Sequence, residues 1–283
     1  TVMAGPISGN FSTVGGAASQ NVPGSMDSIL GLEVVLTDGR IIRTGSSAMR
    51  RATSPFYRNY GPDLTGLFLG DAGAFGVKTK LTLRIERIPE GVGFASFAFG
   101  SLADMATAIV DVARLGLTVK CFGMDPLKNR TVTKVDLSEG VAMLRDVATG
   151  SGTVLRGLKD AAKLVAVGRD ALDDIDWSLH LTVEEFDQTA ADRALALAQE
   201  ACTANHGIEI EPTLPIALRA KPFSIRGFLG LEGERWVPVH GIFPMSRARE
   251  AVAAVDEFFT KCAAELDGHE IQHSFITSTS GTY

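Results

Sequence analysis

The sequence predicts an α+β protein in two parts, residues 1–90 and 91–283, each built on antiparallel sheet, with the helices of the second part on one face of its sheet. Three observations predict this. A hairpin and an alternating strand occupy the first part. A strand, helix, strand order then recurs three times in the second. A 283-residue chain that is 45% hydrophobic has enough apolar side chains for more than one core.

In the first part, Leu32-Glu33-Val34-Val35-Leu36 and Arg40-Ile41-Ile42-Arg43-Thr44 flank Thr37-Asp38-Gly39. Asp-Gly between apolar runs is a hairpin signal. Further on, Val77, Thr79, Leu81, Leu83 and Ile85 alternate with Lys78, Lys80, Thr82, Arg84 and Glu86, which predicts a strand with the first set buried. Proline and glycine in Ile88-Pro89-Glu90-Gly91 interrupt that alternation and mark the boundary. Beyond it, residues 94–99 read as a strand, Ser101 caps a helix to Leu115, and residues 119–123 form a strand. The second unit is a strand over 177–184, a helix over 190–204 and a strand over 208–210. The third is a strand over 236–242, a helix capped by Ser246 and ending near Gly268, and an extended run over 271–276. Residues 129–174 carry no motif and read as peripheral helix.

Two glycine clusters stand out in the first part. One surrounds Gly15, Gly16 and Gly24; the other is Gly70-Asp71-Ala72-Gly73-Ala74-Phe75-Gly76-Val77. Glycine reaches positive φ without strain and leaves backbone N–H groups open to a ligand, so such clusters can cradle an anion. They can equally be turns. Neither is GxGxxG or GxxxxGK[ST].

Three ordered segments narrow the choice. Gly15-Gly16-Ala17-Ala18-Ser19-Gln20-Asn21, then Ile29 through Gly39, then Gly61 through Thr79, resemble in order and spacing the later half of the FAD-binding domain of FAD-linked oxidases. This is the superfamily of vanillyl-alcohol oxidase and of D-lactate and glycolate oxidising enzymes. The resemblance covers roughly the first 86 residues, and it implies the second half of a PCMH-type FAD-binding domain followed by a substrate-binding cap. It implies FAD as cofactor, held at Gly15, Gly16, Asn21, Gly70, Gly73, Gly76 and Val77. It further implies oxidation of a hydroxy-bearing small-molecule substrate, a 2-hydroxy acid or a phenolic alcohol, by hydride transfer to flavin N5. Two departures stand out: Asp71 occupies a position where many members carry a small residue, and Ala72 one where glutamate is common. The family's earlier subdomain is not recognisable, so the chain is expected to be a fragment whose N-terminal FAD subdomain lies in the same or another chain. A homodimer is the expected assembly. The alternatives are a flavin- or nucleotide-binding protein without turnover, and an α+β structural protein without cofactor.

Composition sets limits. With 33 acidic residues against 27 Lys and Arg, the formal charge is -6 and no basic block exists for nucleic acid. No apolar stretch approaches a membrane span, and no signal-peptide pattern is present, so the expected location is cytoplasmic. Cys121, Cys202 and Cys262 are far apart and odd in number, which favours buried thiols over disulfides.

Few polar residues outside the glycine clusters suit catalysis. His240 ends the strand expected over 236–242, a good place for a base that titrates near neutrality, or for an ordinary core histidine. Arg219, Lys221 and Arg226 could hold a substrate carboxylate, Arg226 with a two-pronged guanidinium fork, or line a solvated face. Tyr57 and Tyr60 lie in an aperiodic, arginine-rich linker and are candidates for contact with substrate or flavin edge. His269 and His273 are expected on one face of an extended run with no third ligand, so no metal site is expected.

Overall fold

A computed structural model describes residues 13–20, 28–52, 55–59, 61–85, 87–132, 175–220, 237, 239 and 241–278. The chain divides into two compact units, Thr1–Ile88 and Pro89–Tyr283.

The first unit is a three-stranded antiparallel sheet, β1 (Ile29–Val35), β2 (Ile41–Arg43) and β3 (Val77–Leu83), in the order β2-β1-β3. The hairpin forms as expected: Gly39 at φ 85° donates to the Leu36 carbonyl, and Asp38 Oδ1 accepts from Arg40 N at 3.0 Å. Ile29, Leu32 and Val34 pack with Phe68 and with Ala17 and Ala18 of α1 (Val14–Gln20). Thr44 is fully buried, and its hydroxyl accepts from Leu32 N at 3.0 Å and from Thr65 Oγ1 at 2.8 Å. That pair ties the hairpin to the short helix α2 (Leu64–Leu67), whose N-terminus Asp63 caps through Gly66 N at 3.0 Å.

β3 departs from the alternation. A register shift lies opposite Glu33 and Val34, so that Glu33 pairs with Lys80 while Val34 pairs with Lys78, and Thr79 is the extra residue of a bulge. One inserted residue exchanges the two faces of a strand. Lys78 therefore enters the interior and Val77 is 68% exposed, the reverse of the expected arrangement. Leu81 and Leu83, above the bulge, pack on the core as expected.

The second unit is a five-stranded antiparallel sheet in the order β7-β4-β6-β5-β8, from β4 (Gly91–Phe99), β5 (Lys120–Met124), β6 (Trp177–Glu185), β7 (Ile208–Ile210) and β8 (Ile276–Ser278). Ala95, Phe97, Phe99, Cys121, Leu179 and Leu181 bury one face against α3 (Leu102–Leu115) and α5 (Gln188–Ala204); α4 (Pro126–Val132) begins directly after β5. Ser101 caps α3 through Asp104 N at 3.1 Å, and Asp187 caps α5 through Ala190 N at 2.8 Å. Ala191, Ala194, Ala198 and Cys202 form a stripe of small buried residues at helical spacing, which brings α5 close to the sheet.

The sheet is not covered on one face alone. On the opposite face, Met124, Phe122 and Ile210 pack with Leu214 and Leu218 of α6 (Thr213–Ala220). The long helix α7 (Ala248–Gly268) follows a 3-10 turn at Met245–Arg247 that absorbs Ser246, so Ser246 does not cap it. Val237, Val239, Gly241 and Ile242 carry no strand, and Val239 is 93% exposed; Pro238, which has no N–H to give a ladder, lies among them. His269 and His273 share no strand either: His269 ends α7, and His273 stacks on Phe259 at 4.2 Å. Among the described residues no helix is long and apolar enough to cross a membrane.

Candidate functional site

The two glycine clusters meet. Gly70 N donates to the Ala18 carbonyl at 3.0 Å and Ala72 N to the Ser19 carbonyl at 2.9 Å, so the C-terminal end of α1 and the loop 70–76 form one structure. Phe68 and Phe75 meet edge to face, their ring centroids 6.4 Å apart.

Among the described glycines of these clusters, Gly15 and Gly76 are used internally and Gly73 faces open space. A Cβ at Gly15 would sit 2.7 Å from the Lys78 carbonyl oxygen, so glycine there lets α1 lie on β3. A Cβ at Gly76 would meet the Val35 carbonyl oxygen at 2.6 Å, and its φ of 140° is strained for any side chain. Gly16 has only Thr13 Oγ1 within reach, at 3.1 Å, and Gly70 has φ 68° in the turn against α1. Gly73, at φ 82°, has nothing within 4 Å of where a Cβ would be. Phe75 and Val77, which follow it in the chain, are 53% and 68% exposed. Asn21 and Tyr60 lie outside the described residues, as do Lys221, Arg226 and His240.

Asp71 holds this loop together. Its carboxylate accepts from Gly73 N at 3.0 Å and Phe75 N at 3.1 Å and pairs with the Lys78 ammonium, both side chains being 1% exposed. Burial alone would raise the Asp71 pKa; Lys78 and the two N–H groups outweigh burial and hold the carboxyl below its ordinary value. The sequence reading missed this pair, because only the bulge in β3 brings Lys78 inward.

A flavin dinucleotide has a planar uncharged part and a pyrophosphate. The bare backbone at Gly73 with its exposed apolar neighbours fits the former. The loop's donors do not fit the latter, since Asp71 and the α1 carbonyls already take them.

The second unit contains a buried polar chain that the sequence also concealed. Asn129 Nδ2 donates to the Ile175 carbonyl at 3.0 Å, which turns its Oδ1 to accept from Ser178 Oγ at 2.7 Å. Ser178, having donated, accepts from His180 Nε2 at 2.8 Å. His180 Nδ1, left without a proton, accepts from Ser96 Oγ at 2.8 Å. His180 is 1% exposed and burial holds its pKa down at about 3, so it is a neutral clamp between β4 and β6. Ser178, His180 and Thr182 alternate along β6 on a face that lies under protein rather than water. Arg219 donates to Glu184 Oε1 at 2.8 Å, which commits its guanidinium within the unit, and Tyr57 is exposed with its backbone N and O bound to Ser46. Cys121 and Cys202 are buried, and no disulfide joins any of the three cysteines. Among the described residues no group of three His, Cys, Asp or Glu side chains is placed to hold a metal.

No family model matches the chain. A probable mitochondrial D-lactate dehydrogenase of Danio rerio is 35% identical over 94 residues, which are 33% of this chain and 18% of that protein. Glycolate oxidase subunit GlcD of Bacillus subtilis (strain 168) is 36% identical over 93 residues, 30% of this chain and 18% of the subunit. In fold, an alkyldihydroxyacetonephosphate synthase matches with a TM-score of 0.53 at 15% identity, over 92% of this chain and 48% of the synthase. The chain thus spans about half the length of that solved structure, and the sequence matches cover 18% of each of these two relatives. The sequence matches are to a D-lactate dehydrogenase and a glycolate oxidase subunit, and the likeness to the synthase is one of fold alone.

Proposed function

We propose that the chain is part of an FAD-dependent oxidoreductase acting on a hydroxy-bearing small molecule, either a 2-hydroxy acid or a phenolic alcohol. The observation that carries this reading is the junction of the two glycine segments through Gly70 N and Ala72 N, because these are the segments that resemble the flavin-contacting half of the superfamily's FAD domain. The similarity to D-lactate dehydrogenase and glycolate oxidase sequences supports it. Bound FAD would supply the hydride acceptor.

The chain's own residues have distinct parts in this reading. Gly73, with Phe75 and Val77, is the ledge for the uncharged portion of the dinucleotide. Gly15, Gly16, Gly70 and Gly76 shape the backbone behind it, and Asn21 follows α1. His240 takes the substrate hydroxyl proton, Arg226 clamps a substrate carboxylate, and Tyr60 orients the substrate. The pyrophosphate is held by an N-terminal FAD subdomain in the same or another chain.

A second reading, an α+β protein without cofactor, is favoured by Gly15 and Gly76 serving internal packing. One experiment separates them. Protein purified together with the partner segment is expected to absorb at about 450 nm and to bleach anaerobically with a 2-hydroxy acid or a phenolic alcohol. Colourless protein would refute the flavin reading. A coloured protein that no such substrate bleaches would refute the oxidoreductase.

A further inference from the structure

The loop 70–76 has four residues at positive φ: Gly70 at 68°, Ala72 at 50°, Gly73 at 82° and Gly76 at 140°. Reversals of this kind turn successive N–H groups toward one point and make a concavity that suits an anion. Here the protein fills it. Gly73 N and Phe75 N converge on the two oxygens of the Asp71 carboxylate, and Lys78 sits on the same carboxylate and on the Gly76 carbonyl at 3.3 Å. The other donors are also spent: Ala72 N on the Ser19 carbonyl, Ala74 N on the Asp71 carbonyl at 2.9 Å, and Gly76 N on the Gly73 carbonyl at 3.3 Å. From Ala72 to Gly76 every backbone N–H has an acceptor within the protein.

We propose that Asp71 is a specificity-determining residue: as an internal anion with Lys78 as counterion, it closes this loop to phosphate and other oxyanions. Only uncharged ligand surface can then lie against Gly73 and Phe75. The same geometry makes the exclusion reversible by mutation. Removing the carboxylate leaves Gly73 N, Phe75 N and the Lys78 ammonium around a vacancy the size of a carboxylate, three donors suited to one oxyanion. This holds whether or not a flavin binds.

The test is a titration of the 283-residue protein with inorganic phosphate at constant ionic strength, followed by the amide resonances of Gly73 and Phe75. In the parent these two resonances are expected to stay fixed. In Asp71→Ala they are expected to shift and saturate at about millimolar phosphate, with affinity at least about tenfold above that of Asp71→Ala/Lys78→Met. Asp71→Ser serves in place of Asp71→Ala should the latter fail to fold. Phosphate-dependent shifts of both amides in the parent would overturn the proposal, because the loop would then be open despite Asp71. A folded Asp71→Ala or Asp71→Ser variant that shows no response would overturn it equally, since Asp71 would then be only a turn-former.

Discussion

Acid should weaken the second unit through one buried side chain. His180 is neutral in the folded protein, with burial lowering its pKa to about 3, whereas in the unfolded chain it titrates near the ordinary 6.5. Between those values the unfolded state binds the extra proton, so stability rises with pH across the window and falls as pH drops below about 6.5. At one pKa unit per 1.36 kcal/mol, lowering the pH from about 7.5 to about 5 should cost about 2 kcal/mol from this group alone, and about 5 kcal/mol once the pH is below 3. The carboxylates titrate too, so the quantity to read is the difference between the parent and a variant with no titrating group at this position. His180→Gln keeps an amide able to reach Ser178 Oγ, the partner of His180 Nε2 at 2.8 Å. Urea unfolding followed by tryptophan fluorescence reports on this region, because Trp177 begins β6 three residues before His180. The parent should lose about 2 kcal/mol more than His180→Gln between the two pH values. Equal losses, or a larger loss in the variant, would refute the neutral clamp and with it the tautomer chain from Ser96 to Asn129.

Three further outcomes follow from the geometry. Gly76→Ala should destabilise the first unit by about 2 kcal/mol or more, since its Cβ would lie 2.6 Å from the Val35 carbonyl oxygen at a φ of 140°; thermal melts of parent and variant check this. Ser101→Ala should cost about 1 kcal/mol through loss of the α3 cap, with faster exchange at the Asp104 amide. Burial pushes the Cys202 thiol up to about 12, and Cys121 is buried as well, so native protein at mild alkaline pH should be alkylated first at Cys262, with Cys121 and Cys202 reacting only on unfolding. Mass spectrometry of the labelled thiols distinguishes these cases.

Much of the fold was legible because local signals and tertiary demand agree. Asp38-Gly39 makes the hairpin, Ser101 begins α3, and the polar-apolar alternation of 177–184 marks β6, which runs to Glu185. The misses share a physical origin in facts that no local pattern carries. Alternation around Lys78 pointed outward, and a single bulge reversed it. No local pattern marks the Ser178, His180, Thr182 face of β6 as buried, because α6 and Asn129 of α4 cover it from distant sequence. Ser246 has the right residue type for a helix cap, but a 3-10 turn precedes the helix and uses it first. The expected strand over 236–242 contains Pro238, and its described members are exposed and unpaired with the sheet.

The glycine clusters show why a binding site is harder to read than a fold. A sequence records that backbone must be bare, but not whether protein or ligand approaches it. At Gly15 the Lys78 carbonyl approaches, at Gly76 the Val35 carbonyl does, whereas at Gly73 the surrounding space remains open. The same division applies to hydrogen-bond donors, since a loop rich in positive φ can bind an anion only while its N–H groups are free, and Asp71 takes two of these. A dinucleotide seated on Gly73 would therefore gain shape complementarity and apolar contact here, with its phosphate charge met elsewhere. That separation makes a specific demand on flavin binding: mutating Lys78 should act through the loop's rigidity, whereas the salt dependence of affinity should arise from basic groups outside residues 70–78. Unchanged salt dependence of flavin affinity in Lys78→Met would agree with this, and a salt slope reduced by that substitution would place the phosphates against Lys78 after all.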